Sequence, residues 1–255
     1  MGFIGNIPLA ARTGQSPEEL RKLHATNESA FERGWRQNPR GEGGNRFPSW
    51  ESCLVDRRVA DLVQPEWPKR TGVDLSSKAR PGTCLFTVTR NPISGVFIPV
   101  EIIRGRWTGP QILMVMQGVW ARHGAVSRDF SFNVEDNGLQ GWIIEWVTSD
   151  YDSSGRRYDW EKKVFPISTQ GYNKHDEESG LPSLEVEYKN MGWQIPHREF
   201  SRHRDECECG WCYWRREVKT YPACYGDTVM AGWFGREGFS RKKSVAKRRF
   251  LHHTL

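Results

Sequence analysis

Four acidic residues lie where carboxylates could bind a divalent cation. Asp74 sits in the middle of a strand-like run, where an unpaired carboxylate would be costly to bury. Glu135 and Asp136 come where another predicted strand ends, and strand ends are where sites form in open α/β sheets. Asp227 begins an apolar helix whose buried face directs it towards the sheet. Carboxylates suit Mg²⁺ or Mn²⁺, and two such ions can promote phosphodiester cleavage.

Each of these acids also has an ordinary structural interpretation. Asp227 could serve only as a helix N-cap, and Asp136 could only start a turn before Asn137 and Gly138. Asp74 is the hardest of them to explain in this way, because it lies in the middle of a predicted strand. Acids on the first strand, the fourth strand and the last helix together favour one carboxylate cluster.

Five strand-like runs surround these acids. The first three are Thr71–Ser76, Cys84–Arg90 and Phe97–Trp107, and the short Pro- and Gly-containing turns between them predict antiparallel neighbours. Asp129–Glu135 is predicted as a fourth strand, placed beside the first, and Val164–Ile167 as a fifth. The runs therefore predict a mixed central sheet.

Helical spacing of apolar residues appears between and after these strands. The predicted helices cover Gln111–His123, Leu139–Val147, Ser183–Asn190 and Tyr225–Gly235, with a further helix entering Glu217–Tyr221. The order βββ-α-β-α-β-α predicts an α/β fold with helices on both faces of the sheet.

Three runs that contain the acids resemble the nuclease domain of tailed-bacteriophage large terminase subunits. They are Gly72–Ser76, Asn133–Gln140 and Tyr225–Phe234. The resemblance covers residues 68–240, and residues 28–39 resemble the end of the motor domain that precedes the nuclease. The portion between the second and third runs is similar to the family in Thr169–Lys174, Gly180–Pro182 and Gly192–Pro196.

The resemblance implies an RNase H-like fold and an endonuclease that cuts concatemeric phage DNA during genome packaging. It implies two-metal hydrolysis with Mg²⁺ or Mn²⁺, in which Asp74, Glu135 and Asp227 are the catalytic metal ligands and Asp136 is the alternative to Glu135. The implied partners are double-stranded DNA, the small terminase subunit, the portal and a separate or missing ATPase motor. Residues 1–67 would be an extension that ends like the motor, 68–240 the nuclease domain and 241–255 a basic tail.

The chain departs from complete large terminases in one respect. It has no G-x-x-x-x-G-K-[ST] sequence, so ATP hydrolysis is not assigned to it. We expect a nuclease half, whether an excised portion, a natural split subunit or a prophage remnant. Two other functions stay open: a non-cleaving DNA-binding or packaging-scaffold module, and another RNase H-like nuclease of the resolvase or transposase type.

A cluster of cysteines forms a second feature with possible chemistry. Cys209 and Cys212 have the C-x₂-C spacing of a zinc knuckle, but the second pair that a complete knuckle needs is missing. Cys207 lies close to this pair, and His203 and Cys224 could only add single Zn²⁺ ligands to it. Reduced cysteines without a ligand are the expected alternative.

Composition and charge limit the class of protein. Hydrophobic residues make up 37% of the chain and aromatic residues 12%, which excludes a largely disordered protein. No apolar run approaches the roughly 20 residues that span a bilayer, and the N-terminus lacks a signal-peptide layout, so we expect the protein to be located in the host-cell cytoplasm.

The net charge of +6 suits a polyanionic partner. Candidate phosphate contacts are Lys174, Arg241, Lys242 and Lys243, although the tail could equally be a disordered end.

Overall fold

The computed structural model describes residues 45–75, 82–136, 160–168, 180–224 and 226–240, together with residues 16, 18 and 22. The predicted helix Leu139–Val147 and the four candidate phosphate contacts lie outside the described residues. Within the described ranges, no helix is long and apolar enough to cross a membrane.

A five-stranded mixed sheet organises the molecule. Its strands are β2 (Lys69–Asp74), β3 (Thr83–Arg90), β4 (Phe97–Gly105), β5 (Phe130–Asp136) and β6 (Val164–Ser168). The strand order is β4-β3-β2-β5-β6, with β3 antiparallel to β2 and β4, and with β5 and β6 parallel to β2. The predicted arrangement is therefore confirmed, because the first three strands are antiparallel and the fourth lies beside the first. This is the RNase H-like arrangement.

Helices cover both faces of this sheet, as predicted. The described α-helices are α1 (Val59–Leu62), α2 (Gly109–Val119), α3 (Pro182–Lys189), α4 (Gly210–Thr220) and α5 (Asp227–Ser240). On one face, α2 buries Ile112, Leu113, Met116 and Val119 in a cluster with strand residues that include Val73 and Val134. On the other face, α4 and α5 pack over a second cluster that includes Phe86 and Trp214.

The described part of the predicted N-terminal extension packs into the second of these clusters. Phe47, Trp50 and Cys53 are buried there. The short strand β1 (Leu54–Val55) pairs in parallel with β7 (Ile195–Pro196). The segment therefore gains its buried surface from the sheet-containing domain, in keeping with the few apolar residues in its sequence. The domain boundaries at 67 and 240 stay predictions.

Candidate active site

A row of polar side chains crosses the sheet where β2 ends. Asp74 is directly paired with Cys84 on β3, and Cys84 is directly paired with Arg104 on β4. Directly paired residues project to the same face of a sheet. The flanking residues Phe86 and Ile102 belong to the cluster beneath α4 and α5, so this row projects to that face.

Glu135 continues the row on the other side of Asp74. Val73 on β2 pairs with Val134 on β5, and Asp74 and Glu135 are the next residues along these parallel strands. Both valines belong to the α2 cluster, so the two acids project to the opposite face. Glu135 is 5% exposed and Asp74 is half-buried. Two of the predicted acids thus lie side by side at the carboxyl ends of neighbouring strands.

The close approach of α5 brings Asp227 to the same end of the sheet. A Cβ atom on Gly72 would lie 1.9 Å from the Ala231 carbonyl oxygen, so helix and strand touch through their backbones. Two residues earlier on β2, Arg70 Nε donates to the Gly238 carbonyl oxygen over 3.2 Å. The helix therefore runs antiparallel to the strand, and its first residue, Asp227, lies over the end that Asp74 occupies.

An arginine holds the Asp227 carboxylate from the neighbouring strand. Arg104 Nη2 lies 3.5 Å from Asp227 Oδ2, with the two side chains 14% and 7% exposed. The Arg104 guanidinium also lies 3.7 Å from the centre of the Tyr213 ring on α4. Asp227 is therefore placed by a charge on β4 as well as by its own helix.

A fourth acid fixes the start of α5. Glu217 on α4 is buried, and its Oε2 accepts hydrogen bonds from the Thr228 backbone N–H over 2.7 Å and from the Thr228 hydroxyl. A carboxylate at this position satisfies a backbone donor that the first turn of a helix leaves open. Burial raises the pKa of the Glu217 carboxyl, although the Thr228 hydrogen bonds lower it, and the nearby Asp227 charge raises it further.

The electrostatic surroundings of Cys84 indicate how closely these groups gather. Its thiol is fully buried, and burial raises its pKa well above the usual value. The charges of Asp74, Glu217 and Asp227 raise the pKa further, while Arg104 lowers it. The charges of three carboxylates and one arginine thus all act on this one thiol in the middle of the row.

The predicted acids share one end of the sheet without forming a tight ligand cage. Among the described residues, the one group of three or more candidate metal ligands whose atoms all lie within 4.8 Å of one another is a different set. Asp136, the alternative to Glu135, is the last residue of β5, and its side chain lies outside the described residues.

That tighter group consists of His203, Cys207, Cys209 and Cys212. The sequence has no second C-x₂-C pair, but the structure brings His203 and Cys207 beside Cys209 and Cys212. Cys224 is not part of the group, and its Sγ donates instead to the Glu217 carbonyl oxygen at 3.5 Å. Within the described residues all four of these cysteines are free thiols.

Sequence reasoning missed Arg104, Cys84 and Glu217 as parts of the site. A signal for Glu217 was present, because it shares the buried face of α4 with Gly210, Trp214 and Val218 at helical spacing. A carboxylate on such a face needs a partner. No comparable signal marked Arg104, since its role depends on strand pairing.

Comparison with known proteins identifies no family. No protein-family model and no curated protein sequence matches the chain. The fowlpox virus Holliday junction resolvase matches with 10% identity and a TM-score of 0.37, covering 67% of this chain and 96% of the resolvase. The yeast mitochondrial Holliday junction resolvase Ydc2 matches with 9% identity and a TM-score of 0.37, covering 72% and 87%. Likeness at this level says nothing about activity, so the assignment of the fold rests on the order and direction of the strands.

Proposed function

We propose that this chain is a divalent-metal-dependent DNA nuclease with an RNase H-like fold. The observation that supports it is that Asp74, Glu135 and Asp227 all lie at one end of the central sheet. The three acids come from two neighbouring strands and the helix that covers them. Carboxyl ends of parallel strands are where ligands bind in α/β sheets.

The residues present suit a hard divalent cation. Carboxylate oxygens are the preferred ligands of Mg²⁺ and Mn²⁺, and Glu135 and Asp227 are largely shielded from water. Asp74, Glu135 and Asp227 would hold the metal. When bound, such an ion polarises the phosphodiester and makes a water molecule more acidic.

The other residues of the site position these acids. Arg104 restrains the Asp227 carboxylate, and Glu217 fixes the first turn of α5 through Thr228. Because Gly72 has no side chain, the backbone of α5 packs directly on β2, and this places Asp227 at the end of the sheet where Asp74 lies. The site is thus assembled from long-range contacts, so its geometry depends on the docking of α5.

The positive charge of the chain suits the DNA backbone. The net charge is +6, and exposed Arg106 lies just beyond the end of β4, two residues from Arg104. We assign further phosphate contacts to Lys174, Arg241, Lys242 and Lys243 on the basis of the sequence alone. Contacts of this kind position a duplex without reading its sequence.

A more specific proposal for the function is a terminase-type nuclease that cuts concatemeric phage DNA during packaging in the host cytoplasm. Its support is the resemblance of the three acid-containing runs. Its partners would be the small terminase subunit, the portal and a separate ATPase motor. Both solved structures reported above are named Holliday junction resolvases, so branched DNA is the substrate class to test against it.

The deciding experiment offers the full chain three substrates: supercoiled plasmid, linear duplex and a four-way junction. Each is incubated with Mg²⁺ or Mn²⁺, with and without EDTA. We expect metal-dependent cutting of plasmid and linear duplex at rates similar to those for the junction. Strong preference for the junction would replace the terminase-type proposal with a resolvase. Binding without any cutting would overturn the nuclease proposal in favour of a non-cleaving module.

A further inference from the structure

We propose that His203, Cys207, Cys209 and Cys212 bind one structural Zn²⁺ ion, which fastens residues 203–209 to the start of α4. Their candidate ligand atoms all lie within 4.8 Å of one another. The set combines one imidazole with three thiols, the donor chemistry of closed zinc sites. The proposal does not depend on the nuclease function.

The distances within the group suit a tetrahedral ion. His203 Nδ1 lies 3.6 Å from Cys207 Sγ and 3.3 Å from both Cys209 Sγ and Cys212 Sγ. Zinc bonded to sulfur and nitrogen at its usual lengths in a tetrahedron separates those ligands by about 3.5 Å. One ring nitrogen has a single lone pair, so it cannot accept hydrogen bonds from three thiols at once. A central cation accounts for all three contacts.

The backbone around the group is held in place by α4. Arg216 Nη1 donates to the Asp205 carbonyl oxygen over 3.0 Å and to the Cys207 carbonyl oxygen over 2.8 Å. The Tyr213 N–H donates to the Cys209 carbonyl oxygen over 2.9 Å. These bonds fix the carbonyls beside two of the ligands, as the outer partners of metal ligands commonly do.

The charge of the surroundings also fits this ligand set. Three thiolates and a neutral imidazole around Zn²⁺ leave one net negative charge, and the thiols release their protons on binding. Arg215 and Arg216 on α4 lie close, since both donate to Asp205 in the same loop. With four protein ligands the ion has no open position, which distinguishes a structural zinc from a catalytic one.

The position of the group links it to the acid cluster. Cys212 is buried in α4, and one residue further Tyr213 stacks on Arg104. Glu217, on the same helix, holds the start of α5. Zinc would therefore stabilise the helix that supports Asp227, while taking no part in chemistry itself.

The test measures zinc in the purified full chain, kept reduced, by elemental analysis. We expect about one zinc ion per chain. Cys209→Ser removes a ligand and should lose most of the zinc, whereas the matched control Cys224→Ser should keep it, because Cys224 is similarly half-buried but lies outside the group. Replacement of zinc by Co²⁺ in the wild-type chain should give the visible spectrum of a tetrahedral cobalt thiolate.

The cobalt spectrum keeps the test decisive if Cys209→Ser does not fold. A wild-type chain that binds neither zinc nor cobalt when reduced overturns the proposal. So does full zinc content in Cys209→Ser, or a disulfide among the three cysteines in the protein as isolated. None of these readouts uses DNA cleavage, so failure of the nuclease proposal leaves them unchanged.

Discussion

Arg104 Nη2 lies 3.5 Å from Asp227 Oδ2, and this pair joins the edge strand β4 to the first residue of α5. Both side chains are largely buried. Removing either partner would break a largely buried ion pair and should lower the stability of the fold. The carboxylate cluster therefore contains its own positive charge, and a bound cation would share Asp227 with Arg104.

The first prediction concerns Asp74. Asp74→Asn keeps the size of the side chain but removes the charge that would hold the metal. Losing even an outer partner of a metal ligand costs 10–100-fold, so cleavage should fall by at least about 100-fold. Duplex binding should change little, because it rests on Lys and Arg. Plasmid nicking and fluorescence anisotropy measure the two effects.

Asp61→Asn is the matched control for this experiment. Asp61 is an exposed acid whose Oδ2 accepts from the Arg58 N–H, a role that asparagine can also fill. It should cleave DNA at the wild-type rate. An Asp74→Asn protein that nicks plasmid as fast as this control would rule out the metal role of Asp74.

The second prediction concerns the docking of α5 on β2. In Gly72→Ala the new Cβ would lie 1.9 Å from the Ala231 carbonyl oxygen and 2.4 Å from the Gly235 nitrogen. Backbone atoms cannot rotate away, so the free energy of unfolding should fall by at least about 3 kcal/mol. Urea denaturation followed by circular dichroism measures the change.

Gly232→Ala tests whether the effect comes from this contact or from any added methyl group near α5. Its Cβ would meet the Phe86 ring at 3.4 Å, an ordinary contact. Alanine is also the better helix former, so the stability should stay within about 1 kcal/mol of the wild type or rise. Equal losses in the two variants would show that the close contact at Gly72 is not limiting.

Much of the fold was predictable because its information is local. Alternating apolar residues and short turns located the strands, and helical spacing located α2, α3 and α5 to within a few residues. The start of β2 was missed because Lys69 and Arg70 resemble a polar strand end. In the structure Lys69 Nζ donates to three carbonyl oxygens, including Pro65 at 2.6 Å, and Arg70 pairs with Asp129 at 2.6 Å.

The candidate site was predictable only in its acids. Glu135 and Asp227 were predicted from their positions at element ends, and Asp74 from its position inside a predicted strand. Arg104 belongs to the site because it pairs with Cys84 across the sheet. That register depends on contacts far apart in the chain. His203 and Cys207 are close to Cys209 and Cys212 in the chain, yet the sequence predicted them only as single candidate ligands, because the local spacing matched only half of a known zinc motif.

The third prediction concerns the pH dependence of stability. The pKa of Glu217 is raised above its ordinary value of 4.5, chiefly by burial. The folded chain therefore binds more protons than the unfolded chain between pH 4.5 and the raised pKa, and stability falls as the pH rises through that window. Glu217→Gln lacks this titration but still has an oxygen that can accept from Thr228.

The measurement is the melting temperature of wild type and Glu217→Gln in buffers from pH 4 to pH 7. The wild type should lose stability relative to the variant as the pH rises. Glu51→Gln is the control, because Glu51 is exposed and its ion pair with Lys219 lies at the surface. Surface pairs contribute little, so its difference from wild type should stay nearly flat. A flat difference for Glu217→Gln as well would contradict the prediction.

The fourth prediction concerns the path of the DNA. Arg106 and Arg90 are both exposed, but they lie at opposite ends of the sheet. Cys84, beside Asp74, is near the start of β3, whereas Arg90 is the last residue of that strand. If DNA crosses the acid cluster, Arg106→Gln should remove one phosphate contact. The slope of log affinity against log salt should then become shallower by about 0.9.

The control variant Arg90→Gln should leave that slope unchanged. Anisotropy titrations in EDTA, where cleavage is blocked, measure both slopes, and equal slopes for the two variants would place the duplex elsewhere on the surface.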